Sequence, residues 1–195
     1  MQLPIPNFSK KGFAYLGGLA LLVIAISLSA FYMLLKQPKA RLANDEEPAN
    51  MKGMTERHNY WRKQLGIKPL TWSNELAAYA QKWADELAKR GCEMEHRPRT
   101  GSWAQKYGEN LYWSWGMSNT AAAVVDNWAE EIQYFDYNAD DWCVGGVCGH
   151  YTQIIWESTT QVGCAMAKCS DGAEIWVCNY NPPGNYIGEK PYKKK

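Results

Sequence analysis

No cysteine precedes Cys92, and no two cysteines stand in a Cys-x2-Cys pair. The spacings among Cys92, Cys143, Cys148, Cys164, Cys169 and Cys178 suit one tetrahedral thiolate zinc site poorly. A His-Glu-x-x-His segment is also missing, so the usual helix-borne zinc peptidase pattern is absent. Histidine itself is scarce, with three in the chain: His58, His96 and His150. No excess of charge of either sign is present: 21 basic and 20 acidic residues leave a net charge of +1. With no basic stripe to track a phosphate backbone, nucleic acid is excluded as a partner. Internal repeats are absent, which excludes a solenoid.

Charge is missing altogether from residues 13–35, a run bracketed by Lys10-Lys11 and Lys36. As a helix this run would be about 34 Å long, enough to cross a hydrocarbon core of about 30 Å. The length predicts an uncleaved transmembrane anchor. A cleaved signal peptide is the rival, with Ser27-Leu28-Ser29 before Ala30. Its apolar core would be longer than usual, however, and cleavage would expose Phe31-Tyr32-Met33-Leu34-Leu35. Flanking charges do not orient the segment.

The six cysteines form an even set behind an export-type segment, which reads as a disulfide framework in an oxidising compartment. The domain is then extracytoplasmic: membrane-anchored with its N-terminus inside, or secreted if the segment is cleaved. Spacing alone leaves fifteen connectivities open. The chain divides into a basic N-terminal segment (1–12), the anchor or signal segment (13–35), a linker (36–53), one folded domain (54–192) and a tri-lysine tail (193–195).

Within the domain, Thr55 can cap a helix carrying His58, Trp61, Arg62 and Leu65 along one side, with Gly66 stopping it. Ser73 can cap a second, where Leu76, Ala80, Trp83, Ala84 and Leu87 recur at helical spacing until Gly91. A third follows Ser118-Asn119, with a stripe of Val125, Trp128, Ile132 and Phe135. By helical phase Glu131 borders that stripe, whereas Glu130 faces the polar side, so Glu131 is the one predicted to be buried. Residues 161–168 and 173–179 change period and read as two strands joined by Cys169-Ser170-Asp171-Gly172. Helices packed on a small, mostly antiparallel sheet are expected: an α+β fold.

Four segments occur in order: His58-Asn59-x-x-Arg62; Gly108-Glu109-Asn110-Leu111; Gly149-His150-Tyr151-Thr152-Gln153-Ile154-Ile155-Trp156; and Cys178-Asn179-Tyr180-x-Pro182-x-Gly184-Asn185. Over residues 54–192 they closely resemble the CAP superfamily: cysteine-rich secretory proteins, antigen 5 and pathogenesis-related class 1 proteins, with the plant class nearest. The resemblance implies a three-layer αβα sandwich and disulfides pairing Cys92 with Cys169, Cys143 with Cys148 and Cys164 with Cys178. It does not extend to residues 13–35 or to the tri-lysine tail.

The family's central cleft maps onto His96, Glu109, Glu131 and His150. His96 and His150 are thus candidate ligands for a weakly held Zn²⁺, with the glutamates behind them; a metal-free hydrogen-bonded polar core is the rival. His58 and Asn59 are assigned to bracing the first helix. Three functions stay open. The first, for which the resemblance implies a lipid or sterol ligand, is a non-enzymatic module for such a ligand or an extracellular protein, with Glu109, Glu131 and the aromatic loop Tyr134, Phe135 and Tyr137 as candidate contacts. Clustered aromatics also serve packing. The second is a metal-dependent hydrolase, with Glu109 or Glu131 activating water. The third, implied by the plant relatives, is a precursor releasing its last residues at the Asn181–Pro182 bond.

Overall fold

The computed structural model describes residues 45–194. The expected anchor or signal segment, residues 1–12 and the first half of the expected linker, residues 36–44, lie outside them. Among the described residues no helix is long and apolar enough to cross a membrane.

The folded unit begins at Asp45, inside the segment read as a linker. Glu47 explains why the chain is ordered there. Its Oε2 accepts from Gly53 N at 2.8 Å and its Oε1 from Thr55 N, supplying acceptors to the open N-terminus of α1 (Met54–Gln64). Thr55, expected as the cap, makes no such bond; Gly53 holds the cap position in a left-handed conformation, φ 92°. Met51 is buried just before it.

A short strand β1 (Thr71–Trp72) precedes α2 (Asn74–Lys89). Ser73 Oγ caps α2 by accepting from Leu76 N, and the expected stripe from Leu76 to Leu87 is buried. Cys92 N reaches back to Leu87 O at 2.8 Å past Gly91, whose φ of 85° permits this ending. Strand β2 (Gly108–Ser114) follows, then α3 (Ala121–Ala129), capped by Thr120 and not by Ser118-Asn119.

At Glu130 the helix tightens into a 3-10 turn, Glu130–Tyr134. Three residues per turn replace 3.6, so the expected stripe breaks. Ile132 is exposed instead of buried. Glu131 is partly buried and Glu130 exposed, in the predicted order.

Helix α4 (Gly149–Ile154) leads to the hairpin of β3 (Gln161–Lys168) and β4 (Glu174–Asn181). The sheet order is β1-β3-β4-β2, with β1 parallel to β3 and the other two pairings antiparallel. Alternation along β4 divides the core. Ile175 and Val177 face Trp83, Ala84 and Leu87 of α2, whereas Trp176, Cys178 and Tyr180 join Met54, Val125, Trp128 and Ile154 on the other side. Gly163 lets α2 lie close on β3, because an added Cβ would overlap Ser73 O and Ala77 N.

Three disulfides, Cys92–Cys169, Cys143–Cys148 and Cys164–Cys178, tie the fold with the implied pairing. One links the end of α2 to the β3–β4 turn, one closes the loop before α4, and one joins directly opposed residues of β3 and β4.

Candidate functional site

Adjacent residues of β2 face opposite sides of the sheet, and this places two histidine–glutamate pairs. Glu109 is buried on the α2 side. Its Oε1 meets His96 Nδ1 at 2.9 Å and accepts from Arg97 N at 2.9 Å, while Oε2 accepts from Asn179 Nδ2 at 3.3 Å. Asn110 turns the other way, and its Nδ2 donates to His150 O at 3.1 Å.

The second pair is organised by the start of α4. Glu131 Oε1 lies 2.6 Å from His150 Nδ1, and Oε2 accepts from His150 N at 2.8 Å and Tyr151 N at 3.1 Å. One carboxylate thus serves two helix-start amides and orients an imidazole. The His150 ring also stacks on Trp128, with centroids 6.1 Å apart. Since an ionised carboxylate only accepts, Nδ1 is the donor in both pairs, and in the neutral ring Nε2 keeps its lone pair.

Neutral Nε2 atoms backed by carboxylates have the right donor chemistry for zinc. Among the described residues, however, no group of three or more His, Cys, Asp or Glu side chains gathers around one point. The arrangement does not fit a three-ligand zinc centre.

A cleft of about 380 Å³ opens over the first pair. His96, Glu109, Gln153 and Tyr186 line it, together with Arg97, Arg99 and Lys106, which sequence reasoning missed. His150, Glu131 and the aromatic loop are not among its walls. Arg97 is the least expected: a buried guanidinium whose central carbon sits 3.8 Å from the Tyr79 ring centroid, with Nη2 donating to Tyr79 O at 2.6 Å. Burial pulls its pKa below the ordinary arginine value, against the opposing pull of Tyr79 and Glu109. Only the neighbouring motif glutamate could have hinted at it.

The aromatic loop serves the C-terminal segment. Phe135 packs against Tyr151, with centroids 5.5 Å apart, and Tyr137 against Tyr192 at 5.0 Å. The Tyr137 hydroxyl donates to Tyr192 O. Tyr134 lies so close to Gly146 that an added Cβ there would overlap its ring.

His58 and Arg62 tie α1 to the rest. His58 Nδ1 donates to Met54 O at 2.8 Å, so Nε2 accepts from the Tyr180 hydroxyl at 2.9 Å. Arg62 donates to the carbonyls of Lys68, Ile154, Trp156 and Thr159.

Residues 55–180 match the model of the cysteine-rich secretory protein family, CAP. Pathogenesis-related protein 1A of Nicotiana tabacum is 44% identical over 135 residues, 69% of this chain and 76% of that protein. Pathogenesis-related protein 1 of Arabidopsis thaliana is 42% identical over 135 residues, 69% and 78% respectively. Among solved structures, BmVAL-1 superposes with a TM-score of 0.63 at 25% identity, covering 81% of this chain and 86% of its own. The family match over residues 55–180 and these identities show that the chain belongs to the CAP, or cysteine-rich secretory protein, family.

Proposed function

We infer that this chain is an extracytoplasmic ligand- or partner-binding domain that carries out no chemistry at its histidine–glutamate pairs. Family membership and three disulfides support the oxidising compartment. The observation that carries the binding role is the state of the two carboxylates. Each oxygen of Glu109 and Glu131 is already engaged by an imidazole, a backbone amide or the Asn179 amide. A general base must offer a free lone pair to the proton it removes. Here three of the roughly four lone-pair sites of each carboxylate already hold neighbouring backbone and side-chain groups, and the open cleft beside Glu109 is left for a ligand. A lipid- or sterol-class ligand suits an extracytoplasmic chain that residues 13–35 would tether to a membrane.

The full chain, purified in a non-ionic detergent with its disulfides intact, tests this against ester, peptide and phosphoester substrates and against lipid and sterol ligands. Saturable binding without turnover is expected. A turnover lost in both Glu109→Gln and Glu131→Gln, with unchanged melting temperature, overturns it.

A second reading, weak divalent-cation binding by His96 and His150, is favoured by the carboxylate held against each Nδ1, which leaves Nε2 open. Zinc uptake lost on replacing both histidines with alanine is its test.

A further inference from the structure

We propose that the cleft over Glu109 takes an oxyanion, a phosphate group carried free or on a partly apolar body, gripped by Arg99 and Lys106 at its rim. The inference rests on the binding reading of this cleft and names the chemistry of what is bound.

Three cations, Arg97, Arg99 and Lys106, line the cleft against one carboxylate, Glu109. That carboxylate is buried, and three hydrogen bonds, from His96 Nδ1, Arg97 N and Asn179 Nδ2, draw on its charge. Arg99 and Lys106 are exposed, and neither side chain forms an ion pair or hydrogen bond among the described residues. Their charges are therefore uncompensated by the protein.

The backbone sets their placement. Gln105 N donates to Pro98 O at 2.9 Å, closing the intervening loop at its neck, and Arg99 and Lys106 flank that neck and both line the cleft. The loop is fastened to α2 by Tyr79, whose hydroxyl donates to Ala104 O at 3.0 Å and accepts from Lys106 N at 3.2 Å. Two cations on an anchored rim lose less freedom on gripping an anion than two on a free loop. A guanidinium and an ammonium lining one cleft suit a tetrahedral oxyanion, and the concavity strengthens their field. Tyr107 and Tyr186 add aromatic surface to the same wall, which would favour an apolar body on the phosphate.

Calorimetry on the full chain in a non-ionic detergent with EDTA tests this, using inorganic phosphate, hexyl phosphate and uncharged hexanol. Saturable binding of at least one phosphate is expected, with none of hexanol. Affinity should fall about tenfold in Arg99→Gln and again in Lys106→Gln, and should weaken with added salt. Both side chains are exposed, so melting temperature should hold. Preference for hexyl phosphate would assign the site to a phosphate on an apolar body, and parity to free phosphate. Binding of neither phosphate, hexanol binding equal to that of hexyl phosphate, or undiminished binding by the double variant overturns the proposal. Hexanol binding alone would sink the oxyanion claim and leave the binding reading standing; hydrolysis of hexyl phosphate would do the reverse.

Discussion

His58 Nε2 lies 2.9 Å from the Tyr180 hydroxyl, and both side chains are wholly buried. With Nδ1 donating to Met54 O, the ring has one place for a proton and it is filled. Burial lowers the His58 pKa from 6.5 to about 4, with nearby Arg62 pulling the same way and the Met54 carbonyl opposing.

A pH dependence follows from that shift. At neutral pH the ring is uncharged in both folded and unfolded chains. As pH falls below 6.5 the unfolded chain takes up a proton that the folded one refuses until about 4. Stability contributed above 6.5 is therefore lost across this window, by about 3 kcal/mol in full. Denaturant titrations at stepped pH check this. The slope should be shallower in His58→Gln than in the parent, and identical slopes would show that His58 is not the group responsible.

Arg62 should resist its conservative replacement. Its guanidinium serves four carbonyls, on both the α1–β1 loop and the turn after α4. Burial lowers its pKa to about 10, still leaving it charged at neutral pH. A lysine ammonium has three donors at one point and cannot span that fan. Arg62→Lys is expected to cost about 3 kcal/mol in equilibrium unfolding. A loss under ~1 kcal/mol would mean the carbonyls find other donors.

Much of this was legible in the sequence, and the gaps have causes. The stripe from Leu76 to Leu87 survives because α2 keeps a 3.6-residue period between Ser73 and Gly91. The β3–β4 hairpin was visible through its turn, although β4 ends at Asn181 and not at Asn179. The disulfide pairing came from the resemblance, since spacing alone could not choose it. Ile132 failed because a change of helix type at Glu130 leaves no mark in an apolar pattern. Strand β2 was seen as a motif and not as a strand: Gly108 to Leu111 is buried on both faces, so no alternation marks it. Glu47 was read as linker charge because its partners, Gly53 N and Thr55 N, are backbone atoms. Arg97, Arg99 and Lys106 belong to no motif or periodic stripe, and it is the folded loop, closed between Pro98 and Gln105, that places them at the cleft.

The disulfides should differ in worth according to the loops they close. Cys92–Cys169 spans a sequence separation of 77 and Cys143–Cys148 one of 5. In the loop-entropy account the first contributes roughly 4 to 5 kcal/mol and the second roughly 2. Paired serine variants compared by chemical denaturation should reproduce that order. Free thiols found at most of the six positions by non-reducing peptide mapping would contradict the framework itself.

Glu130 and Glu131 are neighbours of the same type, which makes them a controlled comparison. Glu130 is exposed, and Glu130→Gln should leave stability nearly unchanged. Glu131 accepts from His150 Nδ1, His150 N and Tyr151 N, so its charge faces three donors at the start of α4. In Glu131→Gln one oxygen becomes an NH₂ group that must turn toward at least one of them, and the helix-start amides lose a full negative charge. A cost of roughly 2 kcal/mol is expected. Thermal and denaturant unfolding of the two variants measure the difference directly. Because the inferred role of Glu131 is to hold α4 and orient His150, its loss should appear in stability and in the His150 imidazole NMR signals. A Glu131→Gln protein as stable as Glu130→Gln would free that carboxylate from its structural duty and reopen the question of what it does.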